Sequence, residues 1–466
     1  MKEDFAIHNL FWKNIDQFEK VDPQLSRLEG LPYLHKSILE DEIPILTPGI
    51  YILTGSRQVG KTTLLKLIIK NLLKKQKVEP SQIYYLPCDT IGNYKQLLFE
   101  IEQFRLSIDS EKHFVLFIDE ITYVSEWDRA IKSLADAGFF SNGSAVITGS
   151  DIYILKEAMM RFPGRRGTAA RQDFHLHPLS FFEYVTLKDD QFIQVFSECR
   201  QSFIEKMKPF FPALDSNSVH KLSGFFTEYL ICGGFMPAIN DFARNKSILQ
   251  STYATYVQWI VGDVLKRGKQ ESYLREIVSA LMRRLAKQIT WHNLASEMTI
   301  EHHKTVAEYV DLLCRMDVTN ILHALREDKL LPAPKKAKKI SFADPFIFHA
   351  MNGWTKNEKD SFKLANDILN AEPDLKNSII EGTIASLFCQ NFQTFYIKAE
   401  GEVDIALVRE KRFLPIEIKN SMTLNKKELK QILKYKNGIV AYAGFETGKF
   451  EHLDVVPIPV LAMLAS

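Results

Sequence analysis

Eight consecutive residues, Gly55-Ser56-Arg57-Gln58-Val59-Gly60-Lys61-Thr62, constrain this chain more than any other stretch. Two glycines bracketing a short loop, followed by lysine and threonine, describe a tight turn between a buried strand and a helix. The flanks agree: Tyr51-Ile52-Leu53 reads as the strand, and Leu64, Leu65, Ile68, Ile69 and Leu72 recur at helical spacing. Such a turn lets successive backbone N–H groups face an anion, and the helix N-terminus adds the positive end of its dipole. Lys61 is then placed for the β- and γ-phosphates and the Thr62 hydroxyl for magnesium, with Ser56, Arg57, Gln58, Val59 and Thr63 lining the loop. The expected cofactors are ATP and Mg2+.

A second motif fits the first. Phe114-Val115-Leu116-Phe117-Ile118 is a continuous apolar run ending in Asp119-Glu120, so both carboxylates should emerge at the C-terminal edge of a central strand. Asp119 is expected to hold the magnesium and Glu120 to polarise an attacking water. Val146-Ile147-Thr148-Gly149-Ser150 repeats the pattern and puts Ser150 where a γ-phosphate sensor would sit. Arg161, Arg165 and Arg166 follow in a Gly/Pro loop, and one of them is the candidate arginine finger, acting on its own or a neighbouring subunit.

Strand-like and helical stretches alternate through this region, the pattern of a parallel sheet flanked by helices. The expected strands are 50–54, 83–87, 114–118, 145–148 and 171–176. The fold class is therefore α/β and multidomain: a P-loop core over 1–180, a helical lid over 181–269, a winged helix-turn-helix over 270–354, and a small α/β domain over 355–466. Gly233-Gly234 reads as a turn and not a second nucleotide loop, because no strand precedes it.

The set Gly-Ser-Arg-Gln-Val-Gly-Lys-Thr, Phe-Ile-Asp-Glu-Ile, Ile-Thr-Gly-Ser, Gly-Arg-Arg-Gly and His177-Pro178-Leu179-Ser180-Phe181-Phe182-Glu183-Tyr184 resembles the prokaryotic AAA+ ATPases that pair this module with a C-terminal domain of unknown function. The resemblance covers most of the chain and extends to the origin-recognition and signalling ATPase branches. It implies a strand order with the P-loop strand between the side of the strand ending in Asp119-Glu120, the Walker B motif of such proteins, and the edge. Where such proteins commonly read Leu-Ala-Gly-Arg, this chain reads Arg161-Phe162-Pro163-Gly164-Arg165, so which arginine acts stays open.

A helix-turn-helix lays its third helix in the major groove of duplex DNA. His302, His303 and Lys304 begin that helix here. Arg283, Arg284 and Lys287, with Lys335, Lys336, Lys338 and Lys339 near the wing, are expected at the backbone. Duplex DNA is the expected partner, and protein docking is the alternative use of the same module.

In the last segment Asp404 lies on one strand-like run and Glu417 and Lys419 share a face of the next. A hairpin brings Asp404 beside Glu417, giving two carboxylates for Mg2+ or Mn2+ and a lysine beside the attacking water. This arrangement resembles the PD-(D/E)xK core of restriction-endonuclease-like nucleases. The resemblance implies Glu381 as a further metal ligand and Gln431 and Tyr435 on a following helix, expected over 426–435.

Composition narrows the classes. Lys plus Arg number 59 against 57 for Asp plus Glu, a net charge of +2, so any nucleic-acid surface must be local. The five cysteines include no CxxC pair, which speaks against a disulfide framework or thiolate zinc site and for a reducing, cytoplasmic setting. No run of eighteen apolar residues occurs, so no membrane partner is expected. A homo-oligomer is a candidate assembly.

Overall fold

The computed structural model describes residues 5–149, 155, 164–207 and 209–465. It divides into two compact units, Met1–His177 and Pro178–Ser466.

The first unit is built on five parallel strands: β1 (Gly49–Thr54), β2 (Ile83–Pro87), β3 (Phe114–Asp119), β4 (Gly143–Thr148) and β5 (Asp173–His175), in spatial order β2-β3-β4-β1-β5. The P-loop strand β1 thus lies between β4 and the edge strand β5, as expected from the resemblance. Alternation along the strands divides their side chains between two cores. Ile50, Ile52, Leu86, Leu116, Ile118 and Ile147 face one; Tyr51, Leu53, Tyr85, Val115, Phe117 and Val146 face the other. Both faces being covered explains why these strands read as unbroken apolar runs. The helix Lys61–Lys74 covers one face, and its buried Lys66 pairs at 3.1 Å with Asp22, the N-cap of the short helix Pro23–Ser26. That pair ties the N-terminal segment to the P-loop helix.

The second unit begins with five helices, Phe181–Lys188, Gln191–Lys206, Ser216–Cys232, Met236–Asn245 and Gln250–Lys266. Their apolar faces pack within the unit: Phe203 meets Phe388 and Phe392, and Tyr253 stacks on Phe346. In the Gly233-Gly234 turn the Gly234 N–H donates to Asp344 and its carbonyl accepts from Leu179 N. Three further helices, Glu271–Arg283, Trp291–Ala295 and His303–Arg315, precede an antiparallel pair of β6 (Thr319–His323) with β9 (Lys338–Phe342). Between them β7 (Leu325–Arg326) and β8 (Leu331–Pro332) form a small hairpin. Ile289 bridges to Lys338, adding an isolated third pairing to this small sheet.

After the helices Ser361–Ala371 and Pro373–Cys389 comes a six-stranded mixed sheet. Its members are β10 (Gln393–Lys398), β11 (Glu402–Arg409), β12 (Arg412–Lys419), β13 (Ile439–Tyr442), β14 (Gly448–Phe450) and β15 (Leu453–Pro457), in the order β10-β11-β12-β13-β15-β14. Strands β10 to β12 form an antiparallel meander, while β13 runs parallel to β12. The helix expected over 426–435 is absent; that stretch is turns ending in the single 3-10 turn Ile432–Lys434. Isolated turn bonds such as Leu433 N to the Leu429 carbonyl remain there, Gln431 Oε1 accepts from Gly401 N at 3.0 Å, and Leu429 and Ile432 are buried in the sheet's core. Among the described residues no single helix is long and apolar enough to cross a membrane.

Candidate functional site

The first site lies where β1, β2, β3 and β4 end. Gly55 has φ +151°, and a Cβ there would stand 2.5 Å from the Leu176 carbonyl oxygen; Gly60, at φ +108°, caps the helix Lys61–Lys74. Only glycine meets both requirements without strain. Lys61 is buried, and its ammonium donates to the Gly55 and Ser56 carbonyls at 2.9 and 3.0 Å, so the lysine is folded back over the loop. Ser56 Oγ is buried with no hydrogen-bond partner, the kind of orphaned donor that a phosphate oxygen would satisfy.

Thr62 Oγ1 donates to Asp119 Oδ2 at 2.7 Å, bringing the two expected magnesium ligands together. A hydroxyl and a carboxylate are the hard oxygen donors that Mg2+ takes, with water and phosphate completing its octahedron. Glu120 sits just past the strand in the left-handed region, φ +54°, which turns its side chain out of the run of β3. A non-glycine there costs about 1–2 kcal/mol. Thr148, missed in the sequence reading, joins the pair by donating to Asp119 Oδ1 while accepting from Glu120 N at 3.1 Å. Its signal was present: it is the polar residue that ends the apolar run Val146-Ile147. Tyr85, equally unforeseen, donates to Asp119 Oδ2 at 2.7 Å from the middle of β2.

The arginines lie elsewhere. Ser150 and Arg161 fall outside the described residues. Arg166 gives its carbonyl to Ile50 N, beside the start of β1, and its guanidinium grips Asp173 at 2.8 and 3.0 Å and the Gln172 carbonyl at 2.8 Å. Arg165 pairs with Asp136, at the end of the helix Trp127–Asp136. Both belong to the edge where strands begin, whereas the phosphate loop follows the end of β1. A six-residue strand separates those edges by roughly 20 Å. Both guanidiniums are thus engaged at the edge away from the phosphate loop.

The second site is assembled on the C-terminal sheet and the helix Pro373–Cys389. Register places Asp404 on β11 opposite Glu417 on β12: Asp404 Oδ2 accepts from Ile418 N at 2.9 Å, and Asp404 N donates weakly to Glu417 Oε2 at 3.4 Å. Lys419 Nζ donates to Glu417 Oε1 at 2.7 Å. The expected trio is therefore brought together. Glu381 arrives from the helix, and Glu402, unforeseen in the sequence, from two residues before Asp404. Oxygens of Glu381, Glu402 and Asp404 lie within 4.8 Å of one another, a donor set suited to a hard divalent cation. Glu417 stands just outside that set, turned to Lys419. Burial, then the nearby Asp404, pushes the carboxyls of Glu381 and Glu417 well above the ordinary range. Gln431 and Tyr435 face each other at 3.4 Å and sit on the turns described above.

The basic residues assigned to duplex DNA divide into two groups. His302, His303 and Lys304 open the helix His303–Arg315 and are exposed, as are Arg283, Lys287, Lys335 and Lys336. Arg284 is engaged by Glu297 at 2.5 Å. Lys338 and Lys339 are buried, contrary to the expectation of a solvated wing: strand alternation sends Lys338 over the Trp291 ring at 4.6 Å and Lys339 into the acidic cluster.

Residues 47–185 match the family described as "AAA domain", and residues 224–358 match a "Domain of unknown function (DUF8612)". The first unit therefore carries an AAA-type P-loop domain. Over 412 residues the chain is 25% identical to the uncharacterized protein MJ1544 of Methanocaldococcus jannaschii, covering 85% of this chain and 80% of that one. Among solved structures it is similar to a Walker-type ATPase of Pyrococcus abyssi, at 14% identity and TM-score 0.39, over 71% of this chain and 93% of that one. It is also similar to the Aeropyrum pernix ORC2 protein, solved in ADPNP and ADP complexes, at 10% identity and TM-score 0.34, over 69% and 91%.

Proposed function

We propose that the first unit binds and hydrolyses ATP and that its nucleotide state governs a nucleic-acid-directed second unit. The observation that carries this reading is the convergence of Lys61, Thr62, Asp119 and Glu120 on the C-terminal edge of one parallel sheet, inside a segment that matches the AAA family. Backbone N–H groups of the loop orient the triphosphate, Lys61 swings from the loop carbonyls to the β- and γ-phosphates, and Glu120 polarises the water. Bound Mg2+, held by Thr62 and Asp119, would supply neutralisation of the charge on the transferred phosphoryl group. The test is nucleotide binding and phosphate release by the full chain. Lys61→Ala should lose affinity for ATP, and Glu120→Gln should keep it while losing turnover. Unchanged affinity and turnover in Lys61→Ala would refute the assignment.

A second reading concerns the C-terminal domain: metal-dependent cleavage of nucleic acid, with Asp404, Glu417 and Glu381 around the cation and Lys419 beside the water. It is favoured by the shared face of Glu417 and Lys419 and the register that sets Asp404 against them. The three helices followed by the β6–β9 pair have the order of a winged helix, and the exposed Lys304 and Arg283 suit phosphate contact. Plasmid, linear and single-stranded DNA and RNA, incubated with Mg2+ or Mn2+ with and without ATP, test this reading. Cleavage absent from wild type under every condition would favour an ATP-switched DNA- or protein-binding module with a catalytically silent C-terminal scaffold.

A further inference from the structure

Strand β9 belongs to the three-helix module, yet one of its side chains completes the charge arrangement of the C-terminal domain. Alternation puts Lys339 and Ser341 on the same face of β9, turned toward the helix Pro373–Cys389. The Lys339 side chain is only 3% exposed. Its ammonium lies 2.6 Å from Glu381 Oε1 and 3.4 Å from Asp404 Oδ1, and it is also paired with Glu402 Oε1. These are the same three carboxylates whose oxygens converge on one point. Burial alone would lower the Lys339 ammonium's pKa, but Asp404, Glu381 and Glu402 outweigh it and hold the group charged. Beside it, Ser341 carries a buried hydroxyl with no hydrogen-bond partner, packed against Gly382, the neighbour of Glu381.

We propose that Lys339 is an internal cation that closes the carboxylate site, so that its ammonium and a divalent metal are alternatives at Glu381, Glu402 and Asp404. The proposal rests on the metal-binding reading of the C-terminal domain and deepens it. A divalent ion needs oxygens at about 2.0–2.6 Å, and an ammonium bridging the same three carboxylates occupies that centre. Two cations cannot share it, because the like charges would stand in direct contact in a site shielded from water. Metal binding therefore requires Lys339 to withdraw. Because Lys339 is carried by β9, any ligand of the three-helix module that shifts this strand would open the site.

The experiment measures Mn2+ binding to the full chain without nucleotide, counting only the binding that Asp404→Asn removes, in wild type, Lys339→Met and Lys339→Arg. The expected result is at least tenfold tighter binding in Lys339→Met than in wild type, loss in Lys339→Met/Asp404→Asn, and wild-type behaviour in Lys339→Arg. Lys339→Met should also unfold at lower temperature in EDTA and recover with Mn2+. If the uncompensated carboxylates prevent folding, Lys339→Met/Glu402→Gln compared with Glu402→Gln carries the same contrast with one charge fewer. Equal Asp404-dependent affinity in wild type and Lys339→Met overturns the closure while leaving the metal site standing. No Asp404-dependent Mn2+ binding in any variant overturns the closure and the metal reading together.

Discussion

The Tyr85 hydroxyl donates to Asp119 Oδ2 at 2.7 Å, the same oxygen that accepts from Thr62. Burial, reinforced by Asp119, holds the phenol far above its ordinary pKa, so it remains a donor at any working pH. The carboxylate proposed to hold magnesium is thereby fixed in rotamer, and Lys66, 3.6 Å from the Tyr85 ring centre, backs the tyrosine from behind.

Tyr85→Phe keeps the ring on which Lys66 sits and removes only the hydroxyl. Loss of a partner that orients a metal-binding carboxylate typically costs 10–100-fold in metal affinity or activity. The Mg2+ concentration giving half-maximal phosphate release should rise by about tenfold, with nucleotide affinity in EDTA little changed. A Mg2+ dependence identical to wild type would mean that Thr62 and Thr148 hold Asp119 unaided.

Arg166 is a structural arginine by its contacts. Its side chain is largely buried against β5, and it makes two bonds to Asp173 and one to the Gln172 carbonyl. Arg166→Ala should lower the stability of the first unit by about 1–3 kcal/mol, the usual cost of removing charge-assisted hydrogen bonds at a half-buried site. Thermal unfolding reads the loss. Per folded molecule at low protein concentration, ATP turnover should stay at the wild-type level; a large drop there would make Arg166 part of the hydrolytic machinery after all.

Exposure and ion pairing together sort the basic residues of the three-helix module, and so sort their expected effects on DNA. Replacing Arg283, Lys287 and Lys304 together by alanine should weaken duplex binding and flatten the dependence of log affinity on log salt by roughly 0.9 for each phosphate no longer neutralised. Arg284→Ala should change little, because Glu297 already holds that guanidinium. Fluorescence anisotropy across a salt series reads both. An unchanged slope in the triple variant would turn the module into a protein-docking element.

The legible parts of this chain were those where local pattern and tertiary role coincide. Gly55, Gly60, Lys61 and Thr62 lie close in sequence and act as one turn, and β1 to β4 announce themselves because burial on both faces leaves their middles free of charged residues. Asp404, Glu417 and Lys419 were readable because strand alternation fixes their face. Tyr85 and Lys339 were not, since each meets its partner across long sequence separation and nothing local distinguishes a buried lysine in Lys335 to Lys339 from its solvated neighbours. The helix expected over 426–435 failed for a related reason: side-chain bonds from Gln431 to the β10–β11 turn and burial of Ile432 decide that segment, and helical spacing carries no record of them.

His349 supplies a prediction whose sign follows from its surroundings. It lies in the buried helix Pro345–Lys356, and its Nε2–H donates to the Leu230 carbonyl at 2.9 Å, which leaves Nδ1 unprotonated and, among the described residues, without a partner. Burial lowers its pKa from 6.5 to about 4, with the Leu230 carbonyl only partly opposing the shift. The unfolded chain thus takes up a proton below pH 6.5 that the folded protein refuses until about pH 4, so the unfolded state binds more protons across that window and folding stability falls as pH drops through it. The full contribution, present above pH 6.5, is on the order of 3 kcal/mol. Asp344, the N-cap of the same helix, runs the other way: burial raises its carboxyl to about 7, so its ionisation destabilises the fold as pH rises from about 4 to 7. The two slopes partly cancel in wild type and must be separated by substitution. His349→Gln keeps an N–H for Leu230 and removes the titrating ring; denaturant unfolding of this variant should show a stability that depends less on acidification than wild type between pH 6.5 and 4. A difference between the two proteins that stays constant with pH would show that His349 takes up its proton over the same pH range in the folded and the unfolded chain, and would refute the lowered pKa.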